Sequence, residues 1–266
     1  GIRYIGVTGV QTCALPILQR ERRFLAYAAH ELRTPLAVAR IHAQNALQAP
    51  DPADRAAALR LLDTGIDRAT RVVEQLLTLA RLEPEVSPPQ MVATDLLALA
   101  RNELAELTPL AYEHGQDLAL EADERADFHV PGDVGSLGVL IRNLVSNAVR
   151  HTPPDGCIRV LLEATSTAVL LRVQDSGHGV PPALREKVFE RFFRTGNAEG
   201  AGLGLAIVAR IVELHGGTIA LDDCALGGLE VRVVLPRDMA GREAGQRVTA
   251  ISPSIHVGTD GLQRED

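Results

Sequence analysis

Four short stretches of the chain carry residue types that could do chemistry. The first, Ala29-His30-Glu31-Leu32-Arg33-Thr34-Pro35, lies inside a long helical pattern. A neutral imidazole is a competent nucleophile towards phosphorus, and a carboxylate bonded to one ring nitrogen makes the other more nucleophilic. Glu31 is placed to act as that base. Pro35 removes a backbone hydrogen bond and would bend the helix that presents His30. The second stretch runs from Asn143 to Thr152, where Asn143 and Asn147 are four apart and so share a helical face. Two amide oxygens there can complete the octahedral shell of a Mg2+ that also binds phosphates, with charge from Arg150 and the ring of His151 lying against a base.

The third stretch, Asp175-Ser176-Gly177-His178-Gly179-Val180, directly follows an apolar strand pattern. Its glycines permit positive φ and close backbone approach, and the Asp175 carboxylate can accept hydrogen bonds from an exocyclic amine, which selects adenine. The fourth, Gly200 to Val208, is a glycine-rich loop opening into a helix whose first N–H groups form an anion site suited to phosphates. It lacks both the Walker lysine and the strand-first setting of a dinucleotide fold. Between these two, Val188 to Arg194 holds three of the five Phe, a hydrophobic plug anchoring a mobile lid from Thr195 to Ala201. Each stretch by itself also fits a plainer role: a solvated surface histidine, an amphipathic helix with a polar face, a strand-to-loop turn, a core cluster of rings.

The elements that must position these groups fall into two blocks. From Gln19 to about Ala49, Leu25, Ala29, Leu32, Leu36, Ala39, Ala43 and Ala46 recur at steps of 4 and 3, a heptad seam in which Leu32 and Leu36 pack inward while His30 projects beside it. After the breakers Pro50, Asp51 and Pro52, Leu59, Leu62, Ile66, Ala69, Val73, Leu76 and Ala80 repeat the pattern. Two such helices form an antiparallel hairpin, and two hairpins close a four-helix bundle, so the seam predicts a homodimer through residues 19–84. Glu83 to Gln90 is a proline-rich linker, residues 85–90 in the narrower sense. Residues 91–236 alternate helical and strand patterns and predict an α/β sandwich. The segment 237–266 reads as a polar tail.

Composition narrows the field. The chain has 266 residues, 46% apolar, with a net charge of −7, which excludes wholesale disorder and argues against a general nucleic-acid binder. Aromatics are only 3%, so the cores rest on Leu, Val, Ile and Ala. Three isolated cysteines, Cys13, Cys157 and Cys224, suggest neither a disulfide framework nor a zinc site and fit a reducing, cytoplasmic setting. No apolar run is long enough to span a membrane. The nearest, Ile5 to Leu18, is broken by Gly6, Thr8, Gly9, Gln11, Thr12 and Pro16 and has no signal-peptide layout. Residues 1–18 are therefore read as an atypical N-terminal segment, a piece of a longer protein or an N-terminus joined by a cloning or assembly accident.

The order of the motifs is more specific than any one of them. Residues 19–236 resemble the sensor histidine kinases of two-component systems, in the subgroup with an HExxT phosphoacceptor box. AAHELRTPL resembles the H box, LIRNLVSNAVRHT the N box, DSGHGV the first glycine box, VFERFFR the F box and GLGLAIV the second glycine box, while GIDRATRVVEQLLTLARLE is similar to the second bundle helix of the QseC-like branch. The resemblance implies an α+β chain: a dimeric helical hairpin followed by an ATP-binding sandwich of the GHKL (Bergerat) type. It implies ATP-dependent autophosphorylation of His30 and transfer to an aspartate of a response regulator. It assigns Glu31 as base and Thr34 as the residue that positions water for dephosphorylating the regulator. Asn143 and Asn147 would hold Mg2+, Arg150 and His151 would contact the nucleotide, Asp175 the adenine, and Gly177, Gly179, Gly202, Leu203, Gly204 and Leu205 the loops around it. The full-length protein would sit in the bacterial inner membrane through a sensor portion outside this chain, with the catalytic part cytoplasmic. Ser176, His178, Leu229 and Glu230 depart from the family's usual residues without removing a group the chemistry needs. The competing expectations are a variant in which phosphatase activity dominates and an ATP-binding dimeric scaffold without phosphotransfer.

Overall fold

Pro50 and Pro52 divide the N-terminal helical pattern into α1 (Thr8–Gln48) and α2 (Pro52–Arg81). The computed structural model describes residues 8–82, 90–194 and 201–238, with side chains from Tyr27 onward. Asp51 caps α2, its Oδ1 accepting the N–H groups of Ala53 and Asp54 at 2.8 Å each, and Pro52 takes the first helical position, where its missing N–H costs nothing. α1 starts at Thr8 rather than at the expected Gln19. Pro16 gives up only its own N–H, and helix formers such as Ala14 and Leu15 beside it let the backbone continue.

The buried line of the hairpin differs from the expected seam. On α2 it is Ala58, Gly65, Val72 and Leu79, one residue per heptad, and on α1 it includes Ala28, Pro35, Ala39 and Ala46. Gly65 faces Ala39 across the hairpin, where a Cβ would stand in ordinary contact at 3.6 Å. The expected inward packing of Leu36 is corrected: it is 58% exposed, and Ala29 is exposed as well. Leu59, Ile66 and Val73 also keep 49%, 50% and 40% of their surface. A helix with one neighbour buries only the line facing it, and residues one position further on point about 100° away. Leu36, Leu59, Ile66 and Val73 of the predicted seam are thus left uncovered in one copy of the hairpin.

The second block is β1 (Val92–Asp95), α3 (Leu96–Glu113), β2 (Asp117–Ala122), β3 (His129–Gly132), α4 (Val134–His151), β4 (Cys157–Ala164), β5 (Ala168–Asp175), α5 (Gly204–Leu214), β6 (Thr218–Asp223) and β7 (Leu229–Pro236). Five strands form one sheet in the order β2-β4-β5-β7-β6, parallel between β2 and β4 and antiparallel elsewhere. β1 and β3 make a separate antiparallel ribbon, of which β1 was not expected; its four residues are too few to show a periodicity. Asp95 and Asp133 cap α3 and α4.

Strict alternation in β4 and β5 sends Ile158, Val160, Leu162, Val169, Leu171 and Val173 under the three helices. The other face carries a charged ladder that includes Arg159 with Asp117 at 2.7 Å and Arg232 with Asp222 at 3.2 Å. The layers are thus helices on one face of a mixed sheet. Val72, Leu79 and Leu82 of the hairpin join the same core, and Arg210 of α5 donates from Nε to the Leu82 carbonyl at 3.2 Å. The linker residues 83–89, the lid residues 195–200 and the tail beyond 238 lie outside the described residues. No described helix is long and apolar enough to cross a membrane.

Candidate functional site

α4 turns its apolar stripe, from Leu137 through Val149, into the core, and the residues left over form the opposite stripe. Asn143, Asn147, Arg150 and His151 stand at steps of 4, 3 and 1, so all four emerge on that side. Nδ2 of Asn143 donates to the Val139 carbonyl at 2.8 Å, which fixes the amide and leaves Oδ1 as the outward atom. That oxygen faces the start of α5, where a Cβ on Gly204 would come within 3.1 Å of it. Such an oxygen, with Asn147 one turn further along, suits a hard cation that also holds phosphates. Among the described residues no three His, Cys, Asp or Glu side chains gather as a cage.

Asp175 closes the inward phase of β5 after Val169, Leu171 and Val173, which brings its carboxylate to the helix-covered side at the end of the strand, only 6% exposed. Its Oδ1 accepts the N–H groups of Gly177 at 2.8 Å and Leu229 at 3.2 Å. These bonds fix the carboxylate through one oxygen, so the other can serve an incoming amine. Gly177 must be glycine because a Cβ would fall 2.4 Å from the His151 carbonyl, locking the loop against the end of α4.

Beside it the rings of His151 and His178 meet edge to face, centroids 5.3 Å apart. His178 Nδ1 donates to the Gly179 carbonyl at 2.9 Å, which can only accept, so the proton sits on that nitrogen. Burial pushes His151 below the ordinary histidine value; the charges of His178 and Arg150 act the same way, and Asp175 opposes them.

α5 begins without a side-chain cap, so its first N–H groups are available to an anion. The turn before it is tight. Gly202 has φ +66°, and a Cβ there would lie 2.6 Å from the Phe193 carbonyl. Leu203 is fully buried and pins the turn. The expected phenylalanine plug, Val188 to Arg194, begins in a 3-10 turn, Lys187–Phe189, and Phe189 and Phe192 pack against the core.

On α1, His30 is exposed, and Thr34, one turn on, donates its hydroxyl to the His30 carbonyl at 3.4 Å. No described hydrogen bond joins His30 to Glu31, because adjacent residues on a helix diverge by about 100°. His30, Glu31 and Thr34 nonetheless open on the same cleft, of about 1030 Å³, as Asn143, Asn147, Arg150, His151, Asp175, Gly179, Gly202, Leu203, Gly204 and Leu205. Gly177 is the one predicted residue that does not line it; its part is the amide that fixes Asp175.

Two side chains at the site were not singled out for their contacts. His178 bears on His151, and Tyr27 stacks on Phe192 with centroids 5.1 Å apart. For Tyr27 the available signal was a rare aromatic one helical turn before His30.

Residues 20–85 match the His Kinase A (phospho-acceptor) domain, and residues 132–239 match the histidine kinase-, DNA gyrase B-, and HSP90-like ATPase. The sensor protein kinase PmrB of Pseudomonas aeruginosa is 41% identical over 224 residues, covering 83% of this chain and 46% of PmrB. The sensor protein QseC of Salmonella typhi is 39% identical over 220 residues, covering 82% of this chain and 48% of QseC. The solved structure of a mycobacterial sensor histidine kinase, MprB, aligns at 32% identity and a TM-score of 0.50 over 55% of this chain and 97% of that one. The chain spans about half the length of the curated relatives it matches.

Proposed function

The chain belongs to the sensor histidine kinases, and from that premise we propose that it takes the γ-phosphoryl group of ATP onto His30 and passes it to an aspartate of a response regulator. The observation that carries this reading is the single cleft onto which both the phosphoacceptor helix and the residues for nucleotide open.

Each residue has a task set by its position. Asp175, held by two backbone N–H groups, receives the adenine amine, and His151 lies against the base. The first N–H groups of α5 and Arg150 take the phosphates. Asn143 and Asn147 would hold Mg2+, which when bound offsets phosphate charge as the leaving group departs. A ring nitrogen of His30 attacks the γ-phosphorus in line with the bond to the β,γ-bridging oxygen. That bond breaks, ADP leaves, and Glu31, which opens on the same cleft, reaches the ring and takes the proton from the other nitrogen. Positioning and charge stabilisation carry the rate, since phosphoryl transfer asks for little further covalent chemistry. Thr34, on the His30 face one turn away, is the residue for the reverse task of directing water at the phosphorylated regulator.

The exposed Leu36, Leu59, Ile66 and Val73 fit a second copy of the hairpin, which completes a four-helix bundle through residues 19–84. On the same reading the whole protein is a bacterial inner-membrane sensor with this part on the cytoplasmic side. The test is incubation with Mg-ATP labelled at the γ-phosphate. The expected product is an acid-labile, base-stable label that a receiver domain removes by transfer; an acid-stable label contradicts the reading.

A further inference from the structure

Among the described residues the hairpin touches the sheet domain through α2 and, at another place, through α1. At the C-terminal end of α2, Leu79 and Leu82 enter the common core and Arg210 holds the Leu82 carbonyl. At the other place the ring of Tyr27 on α1 stacks on that of Phe192, centroids 5.1 Å apart and planes 21° from parallel. The stack adds a contact made by the phosphoacceptor helix itself.

We propose that Tyr27 is a positioning residue for phosphoryl transfer: its stack on Phe192 clasps the turn at the start of α5 to the phosphoacceptor helix and sets the nucleotide cleft opposite His30. The proposal rests on the kinase reading. Tyr27 lies three residues before His30 and four before Glu31, so all three share one helical face. It remains 52% exposed, which gives the ring no role in the hairpin's own core.

Phe192 is an unusual partner. Its φ of +68° lies in the left-handed region, a strained setting for a residue with a side chain. Such strain persists where surrounding contacts over-determine it. Here the Phe192 N–H donates to the Gly202 carbonyl at 2.8 Å, and Gly202 packs so closely that a Cβ would meet Phe192 at 2.8 Å. Leu203 and the first residue of α5, Gly204, follow directly. Tyr27, Phe192, Gly202 and the phosphate end of α5 are thus in unbroken contact, and a displacement of α1 at Tyr27 is passed to the site where the phosphates rest.

The experiment compares wild type, Tyr27→Ala and Tyr27→Phe in the full chain. Tyr27→Ala is expected to lower the labelling rate at saturating Mg-ATP roughly threefold to tenfold, the range of one aromatic pair, with the KM for ATP within about twofold of wild type. Tyr27→Phe keeps the ring and is expected to restore the rate. Amide hydrogen exchange over Gly204 to Ile207, read by mass spectrometry, is expected to quicken in Tyr27→Ala and not in Tyr27→Phe. That arm does not depend on kinase activity, so a wild type that takes no label refutes the kinase reading while exchange still decides the clasp. An unchanged or raised rate with unchanged exchange, a change confined to KM, or a Phe variant that behaves like Ala would each overturn the proposal.

Discussion

The sheet domain and the hairpin solve the burial problem differently. Leu137, Leu140 and Ile141 of α4 are fully buried by their own chain, whereas Leu59 and Ile66 of α2 keep about half their surface. The sheet domain buries its core in one copy; the hairpin, which carries His30, leaves apolar side chains uncovered. On the proposed function, a reaction that must bring the two together and then part them for a regulator benefits from this division.

Four substitutions or conditions break or sharpen that contrast. The largest expected effect is in the finished core, where Ile141→Ala should cost about 2–5 kcal/mol in denaturant unfolding; a loss no greater than that of Leu59→Ala would erase the distinction. Gly202→Ala places a Cβ at φ +66° against the Phe193 carbonyl, with an expected cost of about 1–3 kcal/mol and weaker binding of a fluorescent ATP analogue. Unchanged affinity would remove that turn from the site. Leu59→Ala should leave the isolated protomer nearly as stable and raise the dimer dissociation constant roughly tenfold, about 1.4 kcal/mol, by sedimentation. A rise at Ile141→Ala but none at Leu59→Ala would place the interface elsewhere.

The smallest effect is electrostatic. Burial, helped by His178 and Arg150 and opposed by Asp175, lowers the His151 pKa. The unfolded imidazole takes its proton near the ordinary value of about 6.5 while the folded one resists. The stability contributed is therefore present above about pH 6.5 and is lost as pH falls through the lowered folded value. Between pH 7 and 5 the thermal midpoint should fall, and His151→Gln should flatten that fall. An equal slope in the variant would assign the titration to another group.

How much of this was readable in the chain depends on distance along it. The breakers at Pro50 to Pro52, the alternation of β5 that aims Asp175 inward, and the spacing of Asn143 and Asn147 are local patterns, and each placed its element or face. On α2 the buried line lies one position before the expected seam, and on α1 Leu36 faces outward and Pro35 inward while Ala39 and Ala46 are buried as expected, because a helix with one neighbour buries only the line facing it. β1 escaped notice because its four residues are ordered by β3, across a long loop-out through α3. The stack of Tyr27 on Phe192 and the Arg210–Leu82 bond join distant segments, and nothing in either segment announces the other.

The division of labour between the two regions is tested most directly by His30→Gln, with γ-phosphate labelling and ATP affinity measured on one preparation. The account predicts that the acid-labile label falls to background while affinity stays within about twofold of wild type, since His30 stands on the hairpin and the nucleotide on the sheet domain. A label that persists in the variant, or an affinity lost together with the label, would contradict it.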